Sequence, residues 1–338
     1  MSKLLKFFIG IDISKTWFDV ALIKADHPIE SIHHQFSQSA DGFKRMVIWL
    51  QRLGVLLNTE ALFCMEYTGI YNAGLVNFLI EQKAQVWVEM PLRIKRSTGF
   101  ERGSDDKTCA IKIAGYAFRH QDKMQLWQPV DSNIEKIKSL ITQRDRVMNA
   151  ITQLTVPVKE LSECGCNEAT ELEKLQRSPL KALQKTKEAI EQLIIKTIKQ
   201  DAEITKKVQQ VQSIKGIGEV TAVALLVYTK GFTTFSNAKE LACYCGVVPF
   251  AKRSGISIRF KPTVSPHANK KLKRLLHLCA LSAIKNDKEI QAYFERKVAE
   301  GKNKMSVINA VRNKLVHRVF AVIRDNRLYE ETYVRKCA

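Results

Sequence analysis

Two short apolar runs, each ending in a carboxylate, restrict this chain more than any other feature. Residues 6–11 (KFFIGI) lead straight into Asp12, and residues 61–65 (ALFCM) lead into Glu66. A short apolar run bounded by polar residues reads as a strand buried on both faces. The pattern between and after them keeps alternating. TWFDVALI (16–23) reads as a second strand after a turn at Ser14-Lys15, residues 32–36 as a weaker third, and residues 85–88 as a fifth. Helical periodicity occupies 41–53, where Phe43, Met46, Val47 and Leu50 share a face, and 71–83. The order β-β-β-α-β-α-β-α predicts an α/β sheet with acids at the C-terminal ends of its first and fourth strands.

A third acid joins them. After a basic stretch (Arg93, Lys95, Arg96, Arg102) comes RGSDDKTCAIKIAGYA, in which Ser104 or Asp105 can cap a helix whose apolar face is Ala110, Ile113, Ala114 and Ala117. Asp106 lies in its first turn. This order of elements and acids matches a ribonuclease-H-like nuclease core. Carboxylates converging from different elements place Mg²⁺, which prefers oxygen ligands, against a phosphodiester. The plainer reading stands beside it: Asp12 and Glu66 as strand-end loop residues, Asp106 as a partner of the helix dipole.

Charge narrows the partners. The 338 residues, enough for two or three domains, carry 54 Lys and Arg against 34 Asp and Glu, a net charge of +20. Nucleic acid is the usual partner of such a surplus and anionic membrane the second. No run of eighteen apolar residues occurs, which excludes a spanning helix. MSKLLKFFIGID reaches an acid without a cleavage site. The eight cysteines are scattered, two pairs spaced C-x-C rather than as zinc pairs, so reduced thiols and a cytoplasmic location are expected.

The second half reads as mostly helical. A helix is predicted over 133–155, ended by Pro157, followed by a polar, mobile stretch at 162–178. A long helix over 180–211 has seven of ten heptad positions apolar, with Lys187, Thr197 and Asp201 interrupting; an antiparallel hairpin, a dimerising coiled coil and a surface helix all fit. SIKGIGEVTAVALLVY (213–228) has the pattern of a helix-hairpin-helix, in which Gly216 and Gly218 would expose amide groups to a phosphate, or of a plain helical hairpin. Helices at 272–284, 289–299 and 304–323 close the chain. Before them lies a segment with nine Lys or Arg and one acid between Lys239 and Leu275. Within it Ser254-Gly255 sits among Lys252, Arg253, Arg259, Lys261, Lys270 and Lys271, in a predicted loop with a short strand at 256–260. Ser-Gly is either a turn, since glycine tolerates positive φ, or an attacking hydroxyl beside cations that hold a phosphate.

Taken together, FIGIDISK, MEYTGIY, RGSDDKTCAIKIAGYA followed by LWQP, IKGIG, LACYCGVVPF, KRSGISIR and the helical C-terminus resemble the DEDD transposases and invertases of bacterial insertion sequences, the Piv-like group, over nearly the whole chain. The resemblance implies a RuvC-like domain over 1–130, a helical coiled-coil linker over 131–211, a mostly α transposase domain over 212–325 and a tail over 326–338. It implies Asp12, Glu66 and Asp106 as catalytic, metal-binding acids for Mg²⁺ or Mn²⁺. Ser254 would be the nucleophile of a covalent phosphoserine link to DNA. It also implies donor and target DNA as substrates, a structured guide (bridge) RNA, and a dimer or tetramer with composite active sites.

One position departs from that pattern. The family's third motif carries an acid three residues after Asp106, and here Cys109 stands there. Residues three apart share a helix face, and a soft thiol is a poor Mg²⁺ ligand. Asp105 is the candidate substitute, though it points about 100° away on a helix. The reading is a metal-dependent DNA recombinase. Its rivals are a RuvC-type structure-selective endonuclease that attacks with water, and a weakened copy that only binds nucleic acid.

Overall fold

The alternating apolar runs of the N-terminal half assemble into one sheet. The computed structural model describes residues 5–97, 105–254 and 258–331, with the backbone alone over 251–254 and 258–262. The chain divides into two compact units, Met1–Pro129 and Val130–Ala338. In the first, β1 (Phe7–Ile13), β2 (Trp17–Lys24), β3 (His27–Ser37), β4 (Ala61–Glu66) and β5 (Gln85–Glu89) stand in the order β3-β2-β1-β4-β5. β2 runs antiparallel to both β1 and β3, and β4 and β5 run parallel to β1. β3 is longer than the apolar pattern of 32–36 suggested, because its ladder to β2 pairs backbone groups whatever the side chains.

Both faces of the sheet are covered, which is why β1 before Asp12 and β4 before Glu66 are apolar. Ile9, Ile11, Phe63 and Met65 pack on α1 (Ala40–Arg52) and α2 (Ile70–Glu81) through Met46, Leu50, Leu75 and Leu79. Phe8, Leu62 and Trp87 face the other way, onto Ile113, Tyr116 and Ala117 of α4 (Asp106–Arg119). A glycine sets how close α4 lies: a Cβ on Gly10 would stand 2.1 Å from the Ala110 carbonyl oxygen and 2.2 Å from the Ala114 nitrogen. The basic stretch after β5 is a short helix, α3 (Pro91–Ser97), rather than a loop; Arg102 and Ser104 lie outside the described residues.

The second unit is helical apart from one hairpin. α5 (Ser132–Glu163) runs through Pro157, and the stretch expected to be mobile is a tight turn at 164–167 followed by α6 (Glu168–Lys199). A proline removes a single N–H donor from a helix, and here the next residue, Val158, is buried. The helix predicted over 180–211 is two. Asp201, an interruption of the heptad pattern, is the N-cap of α7 (Ala202–Gln212) and accepts from the amides of Glu203 and Ile204 at 3.0 Å. α5 and α6 form an antiparallel hairpin whose Ile137, Ile141, Ile190 and Ile194 share one core with the helices that follow.

Those helices are α8 (Glu219–Tyr228), α9 (Ala238–Tyr244), α10 (Lys270–Asn286), α11 (Lys288–Ala299) and α12 (Lys304–Arg324). Between α9 and α10 the chain forms an antiparallel pair, β6 (Pro249–Ser254) and β7 (Ile258–Val264), where a loop with a shorter strand had been expected. Pro249 opens β6, a position where its missing N–H costs little.

Candidate active site

The C-terminal edge of the first sheet gathers carboxylates. Asp12 lies near the end of β1 and Glu66 ends β4, its immediate parallel neighbour. Asp106 opens α4, whose close seat over Gly10 carries its first turn above β1. Burial, then the negative charges of Asp106 and Asp19, push the Asp12 carboxyl above its ordinary value; the Ile13 backbone and the Cys109 thiol, hydrogen-bonded to it, pull the other way. Glu66 is likewise raised, by burial and then by the charge of Asp12, with Lys95 opposing. Asp12 thus feels both of the other predicted acids.

The departure at Cys109 now has a location. Its side chain meets Asp12 one turn into α4, on the face where the missing acid would have stood. Asp105 does not take that place: it is the N-cap of α4, accepting from the Thr108 amide at 2.7 Å, and the Thr108 hydroxyl, then that amide, hold its carboxyl low.

Two further acids of this edge escaped the sequence reading. Asp19 of β2 is opposite Asp12 in the ladder and buried, held by the His33 ring at 2.7 Å and the Gln35 amide at 3.0 Å. Its signal was a lone acid inside the apolar run TWFDVALI. Glu89 ends β5 in register with Glu66, and its partners satisfy it: the Met90 amide at 2.7 Å, the Tyr116 hydroxyl at 3.2 Å and Arg93 at 3.4 Å. Burial and Glu89 push that hydroxyl up to about 12. The run QVWVE carried the same apolar-then-acid signature as β1 and β4.

Hard oxygen donors of like charge near one another, with the half-buried Asp12 and Glu66 raised by burial and then by neighbouring charge, suit a divalent cation, which would offset both. Among the described residues, however, no three His, Cys, Asp or Glu side chains already stand as a closed ligand set. The donor chemistry fits such an ion; the ligand shell is not preformed.

The serine and its cations belong to the second unit. Ser254 ends β6, in register with Ile258, and Arg253 is in register with Arg259. The base of this hairpin is tied down: Asn309 donates to the Val247 carbonyl at 2.8 Å, and the Asn269 amide to that of Tyr244 at 2.8 Å. Gly255 and the side chains of Lys252, Arg253, Ser254, Arg259 and Lys261 lie outside the described residues. Of the other predicted contacts, Lys270 is exposed at the start of α10. Lys271 is not open, being paired with Asp145 and set over the Tyr228 ring. Gly216, at φ +93°, turns tightly against α10, with a Cβ there 2.8 Å from the Cys279 carbonyl oxygen; Gly218 opens α8 with no side-chain cap.

A sheet edged with carboxylates, in a chain with a surplus of twenty positive charges, defines an enzyme acting on the phosphodiester strands of nucleic acid. Comparison with known proteins specifies which. Residues 9–161 match the family described as Transposase, of the DEDD type of IS110, and residues 208–295 match the Transposase IS116/IS110/IS902 family. The pilin gene-inverting proteins of Moraxella bovis and Moraxella lacunata are each 28% identical over 337 residues, covering 96% of this chain and 98% of theirs. An insertion element IS110 protein of Streptomyces coelicolor is 34% identical over 122 residues, 35% of this chain and 29% of its own. The chain belongs to the DEDD transposase and invertase family of bacterial insertion sequences, and it is a DNA recombinase.

Among the described residues no helix is long and apolar enough to cross a membrane.

Proposed function

We propose that this recombinase exchanges DNA strands through a covalent phosphoserine at Ser254, with a divalent ion, Mg²⁺ or Mn²⁺, held by Asp12, Glu66 and Asp106. The observation that carries the reading is the gathering of those acids at one sheet edge, where burial and then neighbouring negative charge raise the carboxyls of Asp12 and Glu66. When bound, the ion neutralises charge developing on a phosphodiester.

The chain's own residues supply the rest. Ser254 Oγ attacks phosphorus and the sugar oxygen leaves; the hydroxyl proton passes to a base, for which a carboxylate of the acid edge is the available group. The resulting phosphoserine conserves the energy of the broken bond, so a second DNA hydroxyl can displace the serine and rejoin the strand. Lys252, Arg253, Arg259 and Lys261 are assigned to the phosphate, and Lys270 and the turn at Gly216 and Gly218 to flanking backbone.

In this reading the N-terminal sheet is RuvC-like and the glycine turn a helix-hairpin-helix. Acids of one protomer meet the serine of another in a dimer or tetramer, acting on donor and target DNA in the cytoplasm. A structured guide RNA chooses the sites, and inversion of a segment, as the Moraxella relatives' names describe, is one product of such an exchange.

The deciding experiment incubates the protein with its insertion-site DNA and divalent ion, then denatures. A covalent protein–DNA adduct is expected, lost in Ser254→Ala with binding intact and kept in Ser257→Ala. An adduct that survives Ser254→Ala refutes the assignment; cleavage without any adduct supports the water-attacking endonuclease instead.

A further inference from the structure

The first unit holds a second feature that recombination chemistry does not use. A groove of about 550 Å³ wraps over the free edge of β3 against α1, lined by Trp17, His34, Phe36, Ile48, Trp49, Arg45 and Arg52, among others. β3 is the edge strand of its sheet. Arg45, Ile48 and Arg52 lie at i, i+3 and i+7 of α1 and so form one stripe facing the groove. Across from them the His34 and Phe36 rings are stacked with centroids 4.5 Å apart, and Trp49 meets Phe36 edge-on at 5.7 Å.

Apolar area is left in the open here. Trp17 is 50% exposed and Ile48 48%, although most large side chains of this unit are buried in its cores. The polar lining is one-sided: it contains two arginines and a histidine and no carboxylate. Asp41 reaches Arg45 at 2.8 Å from outside the lining, and among the described residues no carboxylate pairs with Arg52. Flat aromatic faces interleaved with guanidinium groups along an open groove match a polymer of alternating bases and phosphates. Each unpaired base has a face to stack and each phosphate a charge to pair. A paired duplex offers no free base face, and an acidic peptide would leave the rings without stacking partners.

We propose that this groove binds an unpaired stretch of nucleic-acid strand, stacking bases on Trp17 and the His34–Trp49 wall and holding its phosphates with Arg45 and Arg52. The lining shares no residue with the predicted catalytic set of Ser254, Asp12, Glu66 and Asp106. It gives the N-terminal unit a hold on single-stranded DNA or RNA that needs no divalent ion.

The test uses the full-length protein in chelator and a fluorescein-labelled oligothymidine, the matching oligouridine, and the oligothymidine–oligoadenine duplex. Trp17→Ala and Arg52→Ala are each expected to weaken binding of the unpaired oligonucleotides about 5- to 20-fold. Duplex affinity should change less than about twofold, and Arg52→Ala should also flatten the salt dependence. Trp17→Phe should keep most of the affinity. Tighter binding of oligouridine or of oligothymidine supports the proposal and identifies the strand as RNA or DNA. Equal loss on the duplex, unchanged affinity for unpaired strands, or a change in sedimentation with affinity intact (a protomer interface) overturns it. Adduct formation at Ser254 is read separately, so failure of the groove leaves the recombinase reading standing, and the reverse holds too.

Discussion

Asp12 and Glu66 in the N-terminal unit and Asp287 in the C-terminal unit are all acids drawn out of water, and the protein treats them in opposite ways. Asp287, between α10 and α11, is 1% exposed. Burial acts to raise its carboxyl, but the Ile290 amide, which it caps at 3.0 Å, and Arg318, bonded at 2.6 Å, outweigh that and leave it below its ordinary value. Asp12 and Glu66 are both raised, by burial first and then by neighbouring carboxylates, with no bonded cation among the described residues to offset it as Arg318 does for Asp287. The first acid is fully satisfied and locks two helices together. The other two are kept in a place that a stability criterion alone would not choose, which is the signature of a group retained for chemistry.

The largest expected effect breaks the satisfied side. Asp287→Ala removes a cap and leaves Arg318, itself largely buried, with the exposed Glu289 at 2.6 Å as its remaining acid among the described residues. A loss of about 3 kcal/mol is expected in denaturant unfolding of the second unit. Asp287→Asn, which can still cap, should lose less. If the two variants are equally destabilised, the cap contributes nothing and the ion pair carries the whole effect.

The mirror experiment is Asp12→Asn. Removing a repelled charge should leave the unfolding midpoint at or above that of the wild type, while recombination falls at least about 100-fold. A variant that is both inactive and clearly less stable would make Asp12 a structural acid like Asp287. Smaller again is Cys109→Asp, which places a fourth carboxylate beside Asp12 where a thiol now donates to it. Activity with Mg²⁺ should hold or rise, by up to about tenfold, and the ion-free protein should lose stability. A clear loss of activity would show that the thiol is needed at that position.

The pH dependence sharpens the contrast. Asp12 and Glu66 have folded pKa values above their ordinary 3.8 and 4.5, so at these two groups the folded first unit binds more protons than its unfolded chain, against the smaller opposite pull of the exposed Asp105. Its stability should fall as pH rises from about 4 through the folded values. Asp287 is lowered from 3.8, so its contribution is present above that value and is lost as pH falls below it. Hydrogen exchange followed by mass spectrometry resolves the two units. Opposite slopes of a fraction of a kcal/mol per pH unit are expected, with the slope of the first unit reduced by Mg²⁺. Parallel slopes would dissolve the comparison.

Much of the first unit was legible in the chain. Runs such as KFFIGI and ALFCM can be little else than doubly buried strands, and the acids closing them mark strand ends whatever surrounds them. The same logic would have found Glu89, and Asp19 stood out as a lone acid in an apolar run. In the second unit local signals misled. Pro157 and the polar 162–178 stretch read as breaks, yet packing of α5 on α6 carried helix through the first and over all of the second but a tight turn at 164–167. Asp201 read as a flaw in a seam and is the start of a helix. β6 and β7 add residues on both sides of the expected short strand, because each offers the other backbone partners that neither shows alone.

Periodicity and the placement of carboxylates determined the mixed sheet, the helical remainder and the acids of the candidate site, since burial imposes its pattern on sequence directly. What each carboxylate is worth depended on partners distant in the chain. His33 and Gln35 hold Asp19, Arg318 holds Asp287 across thirty-one positions, and Cys109 reaches Asp12 only because Gly10 lets α4 lie against β1. Charge acts through distance in space, and only the tertiary structure sets that distance.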